Sequence, residues 1–146
     1  MSGERDFSPS PNCRVCGRES TRGSYLCVIC RRLLDRIDTR RDAAGVAWGI
    51  DKAARFQVLC EQWDASAAAF RCYYTGVLLN HSYGSRRYAT WEHRIPGDKS
   101  TVVLVADLVN KMKSDMSEED FRSMVRELAN HFVGKQFHES AFPPDK

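Results

Sequence analysis

Apolar residues recur at helical spacing in three stretches of the chain, and between the second and third the period shortens to that of strands. Leu33, Leu34 and Ile37 form the first stripe and predict a basic helix over residues 29–41. Residues 42–49 hold two glycines and read as a break. Phe56, Leu59, Cys60, Trp63, Ala67 and Phe70 then follow at steps of three and four. That spacing predicts a second helix over 51–70, with Asp51 as its N-cap and Cys60 as a buried thiol on the apolar face. Residues 88–93 and 101–106 read as strands. The second is Thr-Val-Val-Leu-Val-Ala, rich in β-branched side chains that suit a pleated surface. Pro96, Gly97 and Asp98 supply turn chemistry between them. A short helix is predicted from Asp107, carrying Asn110 and Lys113 on adjacent turns. The last helix opens on Ser117 as N-cap with Asp120 three residues on, presents Phe121, Met124, Val125, Leu128 and Phe132, and stops at Gly134.

Helices kept apart from a two-stranded hairpin make the fold class α+β. The expected organisation is a flexible tail over 1–12, a cysteine-rich module with its basic helix over 13–41, a connecting helix over 42–70, a core over 71–134 and a second tail over 135–146. No repeat is evident. No apolar run approaches the roughly 18 residues of a membrane span. The polar first eleven residues lack the apolar stretch of a signal peptide, so a cytoplasmic location and no membrane partner are expected. The net charge is only +3, yet it is uneven: +4 over residues 1–41, −2 over 42–70, +4 over 71–113 and −3 over 114–146. Basic blocks are where a polyanion would bind, although a solvated surface gives the same count.

Four of the six cysteines fall in two pairs, Cys13-Arg-Val-Cys16-Gly17 and Cys27-Val-Ile-Cys30. In a chain kept in a reducing compartment this spacing favours metal over disulfides. Four thiolates satisfy tetrahedral Zn²⁺ and leave no open position, so the expected zinc is structural. The second pair runs into the basic helix, as in a zinc-ribbon or treble-clef module. Arg31 and Arg32 on that helix are candidate nucleic-acid contacts. A second zinc held by Cys60, Cys72 and His81 is conceivable, but Cys72 has no partner three residues on, where Thr75 stands.

Three further segments carry candidate chemistry: Arg71-Cys-Tyr-Tyr-Thr-Gly76, Trp91-Glu-His-Arg-Ile-Pro-Gly97 and Leu108-Val-Asn-Lys-Met-Lys-Ser-Asp115. Together they resemble the signatures of the HNH nucleases, over about residues 70–132. The resemblance implies a hairpin followed by a helix that grips one divalent cation, the ββα-metal core. It implies a metal-dependent endonuclease that hydrolyses DNA phosphodiester bonds, with His93 as general base. Glu92 and Asn110 would be oxygen ligands of Mg²⁺ or Mn²⁺, and Lys113 would meet a phosphate. The family commonly has an Asn at the start of the second strand, tying the loop that positions the histidine. Here that position is Thr101, whose hydroxyl makes a weaker bond of the same kind.

Arg86, Arg87, Arg94 and Lys111 are further candidate contacts to double-stranded DNA, with RNA not excluded. A single site of this kind nicks one strand, so double-strand breaks would need a homodimer or larger assembly. Taken singly, His93 suits a satisfied structural histidine and Asn110 an ordinary helix residue. A non-catalytic zinc-containing nucleic-acid-binding protein and a zinc-held protein-interaction module remain the competing functions.

Overall fold

The computed structural model describes residues 6–42, 44–132 and 145. The chain forms two compact units that divide after Phe70, and its described residues mix helices with two small sheets in an α+β arrangement. Among the described residues no helix is long and apolar enough to cross a membrane.

In the first unit the segment expected to be a flexible tail packs instead, as far as it is described. Phe7 lies 5.2 Å from the Tyr25 ring and 5.6 Å from the Phe56 ring, and Ser10 N donates to Ser24 O. Burying an aromatic side chain outweighs the entropy of ordering a few residues beside it. Residues 1–5 lie outside the described residues. Helix α1 spans Val28–Arg36 and continues as a 3₁₀ turn, Ile37–Thr39, so it ends before the predicted Arg41. The Thr39 hydroxyl donates to Arg36 O and satisfies a carbonyl left over at the helix end. Leu33, Leu34 and Ile37 are buried as the stripe predicts.

Helix α2, Lys52–Gln62, is capped by Asp51, whose carboxylate accepts from the amides of Ala53 and Ala54. It stops eight residues short of the predicted end. Trp63–Asp64 (β1) and Ala69–Phe70 (β2) form a small antiparallel hairpin. The cause is local. Asp64 accepts from the amides of Ser66 and Ala67, which closes a turn in place of the next helical one. The hairpin sets the Trp63 and Phe70 rings 4.9 Å apart, so the helical spacing of these aromatics is answered by a different geometry. Of α2 only Leu59 is buried, and Cys60 is exposed rather than a core thiol.

The second unit centres on β3, Ala89–His93, paired antiparallel with β4, Val102–Ala106, in the register Ala89↔Ala106 to His93↔Val102. A 3₁₀ turn, Lys99–Thr101, leads into β4. All five residues of β4 are buried, as β-branched side chains covered on both faces should be. Helix α3, Asp107–Lys113, follows directly and packs on both strands. Helix α4, Glu118–His131, is capped by Ser117, which accepts from Asp120 N. Only Phe121 of its predicted apolar face is buried, while Val125, Leu128 and Phe132 are exposed. Amphipathic spacing marks the stripe a helix can bury, not how much of it a neighbour covers. The predicted stop at Gly134 and the tail over 135–146 lie outside the described residues, apart from Asp145.

Candidate functional site

The first unit holds a cluster of four thiols. Cys13 and Cys16 sit on a knuckle closed by Gly17 N donating to Cys13 O and Cys13 N donating to Arg18 O. The glycine takes a positive φ of 76°, which an L side chain rarely adopts. Cys27 is the N-cap of α1, its sulfur accepting from Cys30 N, so the second pair lies in the first turn of a helix. All four sulfurs lie within 4.8 Å of one another, and those of Cys16 and Cys27 are 3.5 Å apart. Tetrahedral zinc–thiolate bonds of about 2.3 Å separate sulfurs by about 3.8 Å, so the cluster fits such an ion.

The electrostatics of the thiols are uneven. Burial opposes ionisation of Cys13, but the amides of Cys16, Cys27 and Val15 outweigh it and bring its thiol down to about 7. Burial pushes Cys16 up to about 11, aided by bonds from Cys27 and Cys13. Burial also pushes Cys30 far up, with the other three thiols adding repulsion. One thiolate forms readily and its neighbours resist, a conflict that a divalent ion removes. The four cysteines are a candidate centre for a structural metal such as zinc.

The second unit carries the residues that suggested catalysis. Along β3 burial alternates, with Ala89, Trp91 and His93 buried and Thr90 and Glu92 half-buried. Glu92 Oε1 accepts from His93 N at 2.7 Å, so the carboxylate folds back along its own strand end. His93 is 8% exposed. The turn after it is tied by Thr101, whose hydroxyl donates to Asp98 O at 2.8 Å and accepts from Ile95 N at 3.2 Å. Arg94 N donates to Thr101 O. Asp98 is held below the usual carboxylate range by the hydroxyl and amide of Ser100, with His93 near enough to add to the shift. Asn110 is half-buried in the middle of α3.

Lys113 departs most from expectation. Its side chain is fully buried and Nζ donates to Met116 O at 2.6 Å, so the ammonium does not stand at the surface to meet a phosphate. Burial lowers its pKa, and Glu92, Glu118 and Asp115 oppose that shift. The end of α3 is thus electrostatically joined to Glu92 on β3.

No protein-family model, curated protein or solved structure matches this chain. Its site therefore stands on geometry alone.

Several predicted nucleic-acid contacts are engaged within their own unit. Arg94 Nε donates to Glu118 Oε2 at 2.7 Å, and its guanidinium lies over the Tyr73 ring. Lys111 pairs with Asp107 at 2.6 Å along α3. Arg31 donates to Ser24 Oγ at 2.7 Å and lies over Tyr25, whereas Arg32 is exposed. Arg86 and Arg87 are half-buried in the loop before β3. Two residues that sequence reasoning passed over matter here. Glu118 gathers Arg94 and Arg122, and Asp145 bonds the loop that carries Arg86. The Glu118–Arg122 pair has the i,i+4 spacing of one helix face, whereas Arg94 lies 24 residues from Glu118 and Arg86 lies 59 from Asp145, so those pairings have no short-range signal.

Proposed function

We propose that the chain is a metal-dependent endonuclease that hydrolyses DNA phosphodiester bonds, with its site on the β3–β4 hairpin and α3. The observation that carries this is the hairpin ending on Glu92-His93 and feeding a helix that packs back on both strands. Asn110 lies on that helix, one turn before the lysine whose charge reaches Glu92. Glu92 and Asn110 are hard oxygen donors and neither is fully buried, which suits Mg²⁺ or Mn²⁺ arriving from solvent. The bound ion would supply Lewis acidity at the scissile phosphate. His93 would accept a proton from the attacking water, the general-base role that imidazole most often fills. Thr101 fixes the turn that follows His93. Lys113 braces the end of α3 from inside and contributes its charge beside Glu92.

Supercoiled plasmid incubated with the protein and Mg²⁺ is expected to be nicked, and EDTA to stop the reaction. His93→Ala should lower the rate on the order of 10²–10⁴-fold while DNA affinity holds. Intact plasmid with both Mg²⁺ and Mn²⁺, or His93→Ala cutting at the wild-type rate, would overturn this mechanism. The burial of His93 and Lys113 favours a second function, a non-catalytic zinc-containing nucleic-acid-binding protein. That alternative gives salt-dependent DNA binding with no cleavage under any metal.

A further inference from the structure

The loop over residues 80–88 of the second unit is tightly self-bonded. Asn80 N donates to Arg87 O, Ser85 N to Ser82 O and Tyr88 N to Ser85 O. It is also anchored to the start of α3, where Asp107 N donates to Tyr88 O and Leu108 N to Arg86 O. The loop is therefore held at a fixed place beside the helix that carries Asn110.

Its polar groups leave two donors pointing at one anion. Ser85 Oγ accepts from Asn80 Nδ2 at 2.8 Å and from Arg87 N at 3.1 Å. With both lone pairs engaged, its hydrogen is committed to donation. The next donor is Arg86 N. Both meet the carboxylate of Asp145, Ser85 Oγ reaching Oδ2 at 2.6 Å and Arg86 N reaching Oδ1 at 2.6 Å. These two bonds hold the Asp145 carboxyl below its usual range, with Arg87 and Arg86 adding charge. Two fixed donors, one to each oxygen, with two guanidinium groups nearby, form the recognition set of an oxyanion. A phosphodiester presents the same pair of adjacent anionic oxygens. Asp145 is exposed, so solvent and dissolved anions reach the two donors beside it.

We propose that the Ser85-Arg86-Arg87 loop is a cradle for a backbone phosphate of DNA, and that Asp145 occupies it as an internal stand-in which a bound strand displaces. The source of the phosphate rests on the function proposed above; the anion chemistry does not. The cradle supplies grip beside the helix of Asn110, and Asp145 lowers the affinity of the chain for any polyanion that lacks enough contacts to expel it.

The full chain, labelled with ¹⁵N, is titrated with inorganic phosphate at constant ionic strength while the Arg86 amide is followed. In Asp145→Asn that amide should shift at lower phosphate than in wild type, and in Ser85→Ala the shift should be lost. Fluorescence anisotropy with a short DNA duplex gives the second arm. Asp145→Asn should bind about two- to five-fold more tightly, the range an exposed ion pair is worth. Glu127→Gln, an equal charge change at an exposed position on α4, should bind as wild type does. Arg87→Ala should reduce the slope of log affinity against log salt by about 1. An Arg86 amide that ignores phosphate in every variant overturns the cradle. A phosphate shift with no gain in DNA affinity for Asp145→Asn, or an equal gain in Glu127→Gln, overturns displacement by a strand. If both arms behave as expected while plasmid stays intact, the cradle stands and the nuclease falls.

Discussion

At the scale of single residues, Glu118 ties the end of β3 to α4 in the second unit. Its backbone N–H donates to Arg94 O at 2.7 Å, its carboxylate accepts from Arg94 Nε, and Arg122 adds bonds at 2.8 and 3.1 Å. Arg94 directly follows His93, so one glutamate fixes the strand end from which the imidazole projects. Burial alone would raise the pKa of Glu118, but Arg122 and Arg94 outweigh it and hold the value below 4.5. Folding therefore favours the ionised form. The stabilisation is complete above about pH 4.5 and is lost as pH falls through the lowered folded value. In Glu118→Gln that dependence should vanish, so the fall in unfolding midpoint between about pH 5 and pH 3 becomes shallower than in wild type. Denaturant unfolding at a series of pH values reads it, and equal slopes for the two proteins would remove Glu118 from the clamp. Nothing in the sequence announces this ion pair. Arg94 stands in a basic block and reads there as a phosphate contact, because charge counts show where guanidinium groups are abundant but not which ones a distant acid has engaged.

Among elements, those set by local chemistry were legible. Asp51 and Ser117 cap their helices through the bonds their residue types favour, and the β-branched run 102–106 forms a strand against 89–93. The hairpin 63–70 was not legible, because Asp64 and the positive φ of Ala68 make a turn after Gln62 while the apolar spacing continues past them. Nor was the likeness between the openings of the two units. Cys72 N donates to Val77 O and Gly76 N to Cys72 O, the same pattern as Cys13 with Arg18 and Gly17. Gly76 has a φ of 71°, close to that of Gly17. The backbone turn recurs while Thr75 replaces the second thiol, so the repeat is one of conformation and not of residues. In the second knuckle Cys72 is buried and its sulfur accepts from Ala106 N at 3.4 Å, just before α3. Its work is packing and hydrogen bonding in place of ligation. Cys72→Ala should therefore leave one zinc per chain and cost about 1–3 kcal/mol of stability, the penalty for an amide that loses a buried acceptor. Cys16→Ser should do the reverse to the metal. Metal analysis beside denaturant unfolding separates the two, and zinc lost from Cys72→Ala would show that the second knuckle takes part in ligation.

For the molecule as a whole, the two units draw their stability from different sources. The first has a thiol cluster closed by a knuckle and the first turn of α1, with Phe7, Tyr25 and Phe56 packed together. An ion held by these thiols would add its binding free energy to the folding of this unit, because the site does not exist in the unfolded chain. The second has a five-residue strand buried throughout, Trp91 and Leu104 among the buried residues, and a helix packed on both strands. Among the described residues its side chains form no group of metal-ligating thiols, carboxylates or imidazoles like that of the first. Withdrawing zinc should therefore act on one unit and spare the other. In hydrogen exchange on the full chain, a zinc chelator is expected to speed the amides of Cys13, Cys16, Leu26 and the first turn of α1 by orders of magnitude. Amides of β3 and β4 should keep their protection, because opening them exposes the Trp91 and Leu104 core whether or not the thiols are filled. Restoring zinc should bring the first set back. If the chelator releases both sets of amides together, the two units unfold as one and the division at Phe70 is not energetic. If it releases neither, the four thiols hold their geometry without an ion and zinc is not what folds the first unit.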